Sequence, residues 1–330
     1  MSPILDPLDY ALLDGWQRSF PLVSRPFAEI AAKLELSEEE VLGRLRRLTR
    51  EGAITRIGAT CRPNTAGAST LAAVAAPELR IESVAAEIGA EPGVNHSYQR
   101  ENHWNIWFVV TGPDRAYVDA TLERIRLHTG LEVLDLPLVQ PFNICLGFDL
   151  DGAGQMPTTR QSVDTTVLQP GDREIMQGLS SGLEIVSTPF AALADRLNRT
   201  EEEVLERISV LAGAGMLTRI GVIVRHRALG WRSNAMVVWE LPPEEAARVG
   251  PALAAVRGVT LCYQRRPMAG VWPYTLYCMI HARSRAEAMA VLDRVCEETP
   301  LAGVPHQVLF SLRCFKQMGA MVAAPSGEAA

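Results

Sequence analysis

The chain has no C-x-x-C pair, almost no lysine, no apolar run long enough to cross a bilayer, and no basic leader ahead of an apolar stretch. Each absence closes off a class of protein. The six cysteines, Cys61, Cys145, Cys262, Cys278, Cys296 and Cys314, are scattered. Such spacing argues for a reduced cytoplasmic protein over a disulfide scaffold or a zinc site, and no metal centre is expected. No membrane association is expected either, since a span needs about 20 apolar residues in a row. Met1 to Asp14 carries acids where a secretory signal carries basic residues, so no signal is expected. Lys33 and Lys316 are the only lysines, and arginine supplies nearly all the positive charge of a chain with net charge −6. Codon usage is the plain explanation. The functional alternative is an anionic ligand held by guanidinium forks.

What the chain does contain is a second copy of itself. Residues Asp9 to Gly58 and Asp172 to Gly221 align without a gap. Val23-Ser24-Arg25-Pro26-Phe27 returns as Val186-Ser187-Thr188-Pro189-Phe190, and Thr55-Arg56-Ile57-Gly58 as Thr218-Arg219-Ile220-Gly221. A repeat this long is a domain pair, so the chain reads as a pseudo-dimer of two like halves. At 330 residues and 48% hydrophobic, it has length for roughly two to four domains.

Each half opens with three short helices. Leu8, Leu12 and Trp16 mark the first, and Phe27, Ile30 and Ala31 the second. Ser37 with Glu40 predicts a capping box ahead of a third helix, with Val41, Leu42, Leu45 and Leu48 on one face and a stop near Gly52. Ala53 to Gly58 reads as a wing strand. Thr200 with Glu203, then Val204, Leu205, Ile208 and Leu211, repeat the plan.

An α/β unit follows each wing. Strands are predicted over Thr70 to Ala76, Val94 to Arg100, His103 to Thr111 and Leu131 to Leu138, with helices over Ile81 to Ile88 and Pro113 to His128. The second half matches, with strands over Asn234 to Trp239, Val259 to Arg265, Tyr274 to His281 and His306 to Leu312, and helices over Pro243 to Val256 and Arg285 to Glu298. The order βαββαβ predicts an antiparallel ferredoxin-like sheet with helices on one face. The expected class is therefore α+β. Winged helices occupy 1–62 and 172–225, ferredoxin-like domains 63–150 and 226–319, a polar linker 151–171 and a tail 320–330.

A winged helix ahead of a βαββαβ domain resembles the Lrp/AsnC family of amino-acid-responsive transcription regulators. That resemblance implies DNA binding, and the charges oppose it. The end of a recognition helix that meets DNA is here Glu38-Glu39-Glu40 in one half and Glu201-Glu202-Glu203 in the other. Glutamates there suit a helix dipole but repel phosphate. No specific DNA binding is expected.

A more specific resemblance lies beyond the wings. Val94-Asn95-His96-Ser97-Tyr98-Gln99-Arg100-Glu101 and Trp104-Asn105-Ile106-Trp107-Phe108 are similar to one subunit type of the siroheme decarboxylases. Arg225-His226-Arg227-Ala228-Leu229-Gly230-Trp231, Cys262-Tyr263-Gln264-Arg265-Arg266-Pro267, Trp272 to Met279 and Phe310 to Gln317 are similar to the partner type. Nearly the whole chain resembles a fusion of the two. The resemblance implies conversion of siroheme to 12,18-didecarboxysiroheme, a step toward haem d1 or haem, with no cofactor beyond the iron of the substrate. A ligand-sensing regulator and a non-catalytic tetrapyrrole carrier are the alternatives, and a homodimer or larger homo-oligomer is expected.

The chemistry asks for cations to hold carboxylates, a general acid, and an apolar slot for a flat ring. His96 stands opposite Leu261 in the repeat, and His226 opposite Pro63, so only the first half has the one and only the second half has the other. Histidine donates and recovers protons near neutrality, which makes His96 and His226 the candidate acids, in one composite site or in two. Arg100 and Arg265 match in position, Arg225 and Arg227 flank His226, and Arg313 and Lys316 close the last motif as candidate carboxylate holders. Tyr98, Tyr263 and Trp272 are candidate walls or hydroxyl donors, while Trp107 reads as core. The other four histidines, His103, His128, His281 and His306, are expected to be structural, satisfied within the fold. The cysteines of the second-half motifs read as buried apolar residues.

Overall fold

A computed structural model describes residues 5–143 and 163–323, except for the side chain of His226. Cys145, most of the expected linker and the end of the expected tail lie outside the described residues. In chain order the elements are helices α1 (Pro7–Gly15), α2 (Pro26–Leu34) and α3 (Glu38–Arg50) and strand β1 (Ile54–Cys61); then β2 (Ala68–Val74), α4 (Ile81–Ala90), β3 (Val94–Arg100), β4 (Ile106–Gly112), α5 (Arg115–Thr129) and β5 (Val133–Asn143). The second repeat gives α6 (Asp172–Ser181), α7 (Pro189–Arg196), α8 (Glu201–Gly213) and β6 (Leu217–Val224). It continues with β7 (Ser233–Trp239), α9 (Pro243–Ala255), β8 (Val259–Arg265), β9 (Leu276–Ala282), α10 (Arg285–Glu298) and β10 (His306–Gln317). No described helix is long and apolar enough to cross a membrane.

The chain divides into two compact units by kind of domain and not by repeat: both helical domains form one and both α/β domains the other.

In the helical unit each third helix starts at a hydroxyl cap. Thr200 and Glu203 close a reciprocal box on α8. On α3 the Ser37 hydroxyl accepts from the Glu40 amide, the Glu40 carboxylate accepts from Arg44 Nε at 3.2 Å, and the expected return bond from the Ser37 amide to that carboxylate is not made. The strand after each third helix finds its partner in the other repeat. β1 and β6 pair antiparallel, with Gly58 opposite Gly221, its own copy. Glycine is required at both places, because a Cβ on Gly58 would strike the Leu179 carbonyl and one on Gly221 the Trp16 carbonyl. Apolar faces of all six helices then merge into one core, where Phe20 meets Phe27 and Phe190 edge-on at centroid distances of 5.6 and 6.3 Å. Each fully buried leucine, isoleucine or valine there contributes about 1.5–3 kcal/mol.

The α/β unit is built from two ferredoxin-like sheets, ordered β3-β4-β2-β5 and β8-β9-β7-β10, that close into one eight-stranded barrel. Closure is the work of the last strand of each repeat. β5 pairs β2 over Val133 to Pro137 and then β8 from Leu138 to Asn143. β10 likewise pairs β7 over His306 to Phe310, then β3 from Ser311 to Gln317. Each strand of the barrel is therefore paired on both sides. Alternation sends Ala72, Val74, Phe108 and Val110 to α4 and α5, and Ala235, Val237, Cys278 and Ile280 to α9 and α10. The opposite faces of the same strands turn inward. Ala73, Trp104, Trp107, Leu134, Leu136, Met236, Val238, Trp272, Tyr277 and Leu309 pack there as a single apolar cluster.

Candidate functional site

The inward face of β3 carries His96, Tyr98 and Arg100 in succession. Register fixes this, because Tyr98 lies opposite Trp107 and His96 opposite Val109, on the face away from α4 and α5. The His96 and Tyr98 rings stack within 13° of parallel at 6.2 Å, with Nδ1 3.4 Å from the Tyr98 hydroxyl. The Arg100 guanidinium sits 5.6 Å from the Tyr98 ring. Its Nη1 donates to the Leu309 carbonyl at 3.1 Å and to Asn234 Oδ1 at 3.3 Å, while its Nε is buried with no partner among the described residues. Burial lowers the Arg100 pKa to about 10, which leaves it cationic at neutral pH.

β8 repeats this line with one change. Leu261, Tyr263 and Arg265 stand where the first repeat has His96, Tyr98 and Arg100. Arg265 Nη1 donates to the Leu136 carbonyl at 2.9 Å and the guanidinium lies 5.2 Å from the Tyr263 ring. Its Nε also has no described partner. Burial lowers the Arg265 pKa and raises that of Tyr263, which stays a neutral phenol. The barrel interior thus holds two desolvated guanidinium groups, each with an Nε that has no described partner, beside phenols and an apolar wall. One histidine accompanies the first and none the second at this position.

Two further inward residues break the symmetry. Asn234 and His281, opposite each other on β7 and β9, stand where the first repeat has Ser69 and Thr111. Asn234 Nδ2 lies 2.7 Å from His281 Nε2, and Thr260 Oγ1 lies 2.8 Å from His281 Nδ1. His281 is thus satisfied within the fold, as expected, though by the side chains of Asn234 and Thr260. The signal that marks it is a further histidine difference between the repeats, with Thr111 at the matching place, on the inward face as His96 is.

Several predicted residues are engaged elsewhere. Arg313 lies opposite Gln99, on the helix-bearing face, and its Nη1 donates to Glu82 of α4. Lys316 Nζ donates to the Gly89 and Glu91 carbonyls at 2.7 and 3.1 Å, closing the end of α4, and burial lowers its pKa. The bulges of β10 put both on the outer face, against α4 and away from the Arg100 side of β3. Trp272 is inward but enclosed: its Nε1 donates to the Tyr277 hydroxyl at 2.8 Å, and its ring meets Trp107 at 5.1 Å. It packs the barrel and presents no open wall. Trp107 is fully buried, as core.

Arg225 and Arg227 belong to the helical unit, both exposed, where β6 ends and a 3-10 turn runs from His226 to Leu229. The His226 side chain lies outside the described residues. Of the remaining histidines, His306 Nδ1 lies 3.0 Å from the Val304 carbonyl and His103 meets the edge of Trp104.

In the helical unit the acidic helix starts are used internally. Ser24 Oγ donates to Glu201 Oε2 at 2.9 Å across the repeats, and Arg25 pairs with Glu38. Among the described residues no cluster of histidine, cysteine and carboxylate is arranged to hold a metal ion.

Comparison with known proteins gives a consistent picture. The profile of the AsnC-like ligand binding domain matches residues 66–142 and 228–316, and that of the siroheme decarboxylase NirDL-like HTH domain matches 9–54 and 172–217. The siroheme decarboxylase NirDL subunit of Paracoccus pantotrophus is 58% identical over 97% of this chain and 98% of its own. The corresponding subunit of Paracoccus denitrificans is 56% identical over 97% and 98%. Among solved structures, siroheme decarboxylase NirDL in co-complex with an iron-uroporphyrin III analogue is similar with a TM-score of 0.64 and 26% identity, covering 92% of this chain and 90% of that one.

Proposed function

The chain belongs to the siroheme decarboxylase NirDL family, and from that membership we propose how its own residues carry the reaction. It is a carboxy-lyase. Siroheme loses CO2 from two acetate side chains to give 12,18-didecarboxysiroheme. At each acetate one C–C bond breaks, its electron pair passes into the macrocycle, and CO2 departs. One proton completes the new methyl group, so electrons balance without an outside oxidant or reductant. We invoke no resident cofactor, and the iron belongs to the substrate.

Arg100 and Arg265 hold substrate carboxylates by their open Nε edges, where a guanidinium binds a carboxylate side-on. Little water competes in the barrel interior, so each contact is stronger than at a surface. His96 delivers the proton, with Tyr98 stacked against it to hold the ring. His226 is the second proposed donor, with Arg225 and Arg227 beside it in sequence. The observation that carries this reading is the line His96, Tyr98 and Arg100 on one inward face, repeated without the histidine at Leu261, Tyr263 and Arg265. We also read the protein as cytoplasmic, from its scattered cysteines, and as self-associating.

The test is anaerobic incubation with siroheme followed by mass spectrometry of the tetrapyrrole. The expected result is loss of two CO2 from wild type, with turnover in His96→Ala and in His226→Ala reduced by about 100-fold or more while binding persists. Unchanged turnover in both variants would overturn the assignment of the histidines. Intact siroheme on the wild-type protein would mark a carrier.

A further inference from the structure

We infer that His281 and Asn234 are positioning residues for Arg100: a neutral imidazole fixes the Asn234 amide so that its oxygen faces the guanidinium. The inference rests on the reading of Arg100 as a carboxylate holder.

The argument runs from one end of the chain of bonds. A guanidinium only donates, so the Asn234 atom that meets Arg100 Nη1 at 3.3 Å is the amide oxygen. The amide nitrogen therefore points to His281 Nε2 at 2.7 Å and donates to it. A nitrogen that accepts carries no proton, so the single proton of the neutral ring sits on Nδ1. That N–H donates to Thr260 Oγ1 at 2.8 Å, and the threonine hydroxyl donates onward to the Met279 carbonyl at 2.9 Å. Each of these four bonds has its direction set by the one before it. Proton gain at Nε2 would reverse the amide and turn its NH2 toward a cation. Desolvation, with the charge of Arg100 second, keeps the imidazole neutral by lowering its pKa to about 3.

The consequence for Arg100 is a second anchor. Nη1 is tied both to Asn234 and to the Leu309 carbonyl, which leaves the Nε edge, buried and without a described partner, to meet a carboxylate. At the counterpart, Arg265 has the equivalent carbonyl bond to Leu136. Ser69 and Thr111 stand there in place of Asn234 and His281, and neither offers an amide with an oxygen at one end and a donor at the other. Preorganised donors bind and discriminate better because their orientation is set before the ligand arrives.

The test uses the full chain with siroheme, followed by the Soret band under anaerobic titration and by steady-state turnover. His281→Thr and Asn234→Ser install residues that already stand at equivalent places in this barrel, which limits the risk of misfolding. Both are expected to weaken siroheme binding and raise KM about tenfold, with kcat much less affected. His281→Gln, which can still accept from Asn234, is expected to restore most of the affinity. In an Arg100→Lys background, His281→Thr is expected to add little, since the group it positions has gone. Wild-type affinity in both His281→Thr and Asn234→Ser overturns the inference, as does a loss confined to kcat, which makes His281 a proton donor instead. Binding is read separately from turnover: wild type that binds siroheme and leaves it intact overturns the decarboxylase reading while the variants still decide the positioning role.

Discussion

Arg100 and Arg265 make the same bond twice: each lies along a barrel seam and donates Nη1 to a carbonyl of the neighbouring repeat's last strand or its equivalent, Leu309 for one and Leu136 for the other. Two desolvated cations in one barrel cost stability unless something anionic meets them. Replacing either by leucine is therefore expected to relieve that cost and to weaken siroheme binding, by about 10- to 100-fold for the loss of one charged hydrogen-bond pair. Thermal melts and Soret titrations on the same variants separate the two effects. Lower melting temperature with unaltered affinity would make the arginines structural.

How much of this was open to sequence reading depends on the range of the interactions. The helices of the first unit and the strand Val94 to Arg100 follow from caps and periodicity, which act within a few residues. The ends of β5 and β10 do not. Leu131 to Leu138 and His306 to Leu312 were predicted as short strands, whereas β5 runs to Asn143 and β10 to Gln317. Each extension exists only because it pairs with a strand of the other repeat. The same extension turns Arg313 and Lys316 outward, through bulges that no local pattern announces. Arg100 and His96 were legible because the motif and the repeat difference mark them. His281 carries a repeat difference too, with Thr111 in its place, but its hydrogen-bond partners Asn234 and Thr260 are distant in sequence and no local pattern announces them.

The His281 ring also sets a pH dependence for the barrel. Its pKa of about 3 in the folded chain lies below the ordinary value of 6.5, so the unfolded chain binds the extra proton first. Stability from this residue is thus complete above pH 6.5 and declines as pH falls toward 3, by about 1 kcal/mol or somewhat more for each unit. Denaturant midpoints at pH 7 and pH 5 are expected to differ by more in wild type than in His281→Thr. Equal differences would mean that the ring takes up a proton freely in the folded state.

A second buried charge tests the repeat itself. Asp172 is fully buried at the start of α6 and receives Arg207 Nε at 2.9 Å and Nη2 at 2.7 Å; Asp9 receives Arg44 and Arg47 in the first repeat. Burial acts most strongly and would raise the Asp172 pKa, but the Arg207 bond, the Gln169 amide and the charges of Arg207 and Arg199 together outweigh it and hold the carboxyl below its ordinary value. The pair stabilises at neutral pH, and its contribution fades as pH drops below about 4. Asp172→Asn is expected to cost about 3 kcal/mol by stranding the arginine. A urea titration checks it, and a cost below about 1 kcal/mol would show that solvent reaches the pair.

The helical unit keeps the outline of a DNA reader while its chemistry points the other way. Glu201 accepts from Ser24 of the other repeat, Glu38 is paired with Arg25, and Glu203 closes the box with Thr200. These carboxylates occupy the helix starts that would face a duplex, and each is tied to a neighbouring group of the same unit. Binding to DNA through basic contacts falls steeply with salt, by about 10³-fold or more between roughly 50 and 200 mM for six or more phosphate contacts. Fluorescence anisotropy with a labelled duplex is expected to show no such fall and no dependence on sequence. A steep salt slope on any duplex would mean that cations outside these helix starts engage phosphate, and the regulator reading would return with it.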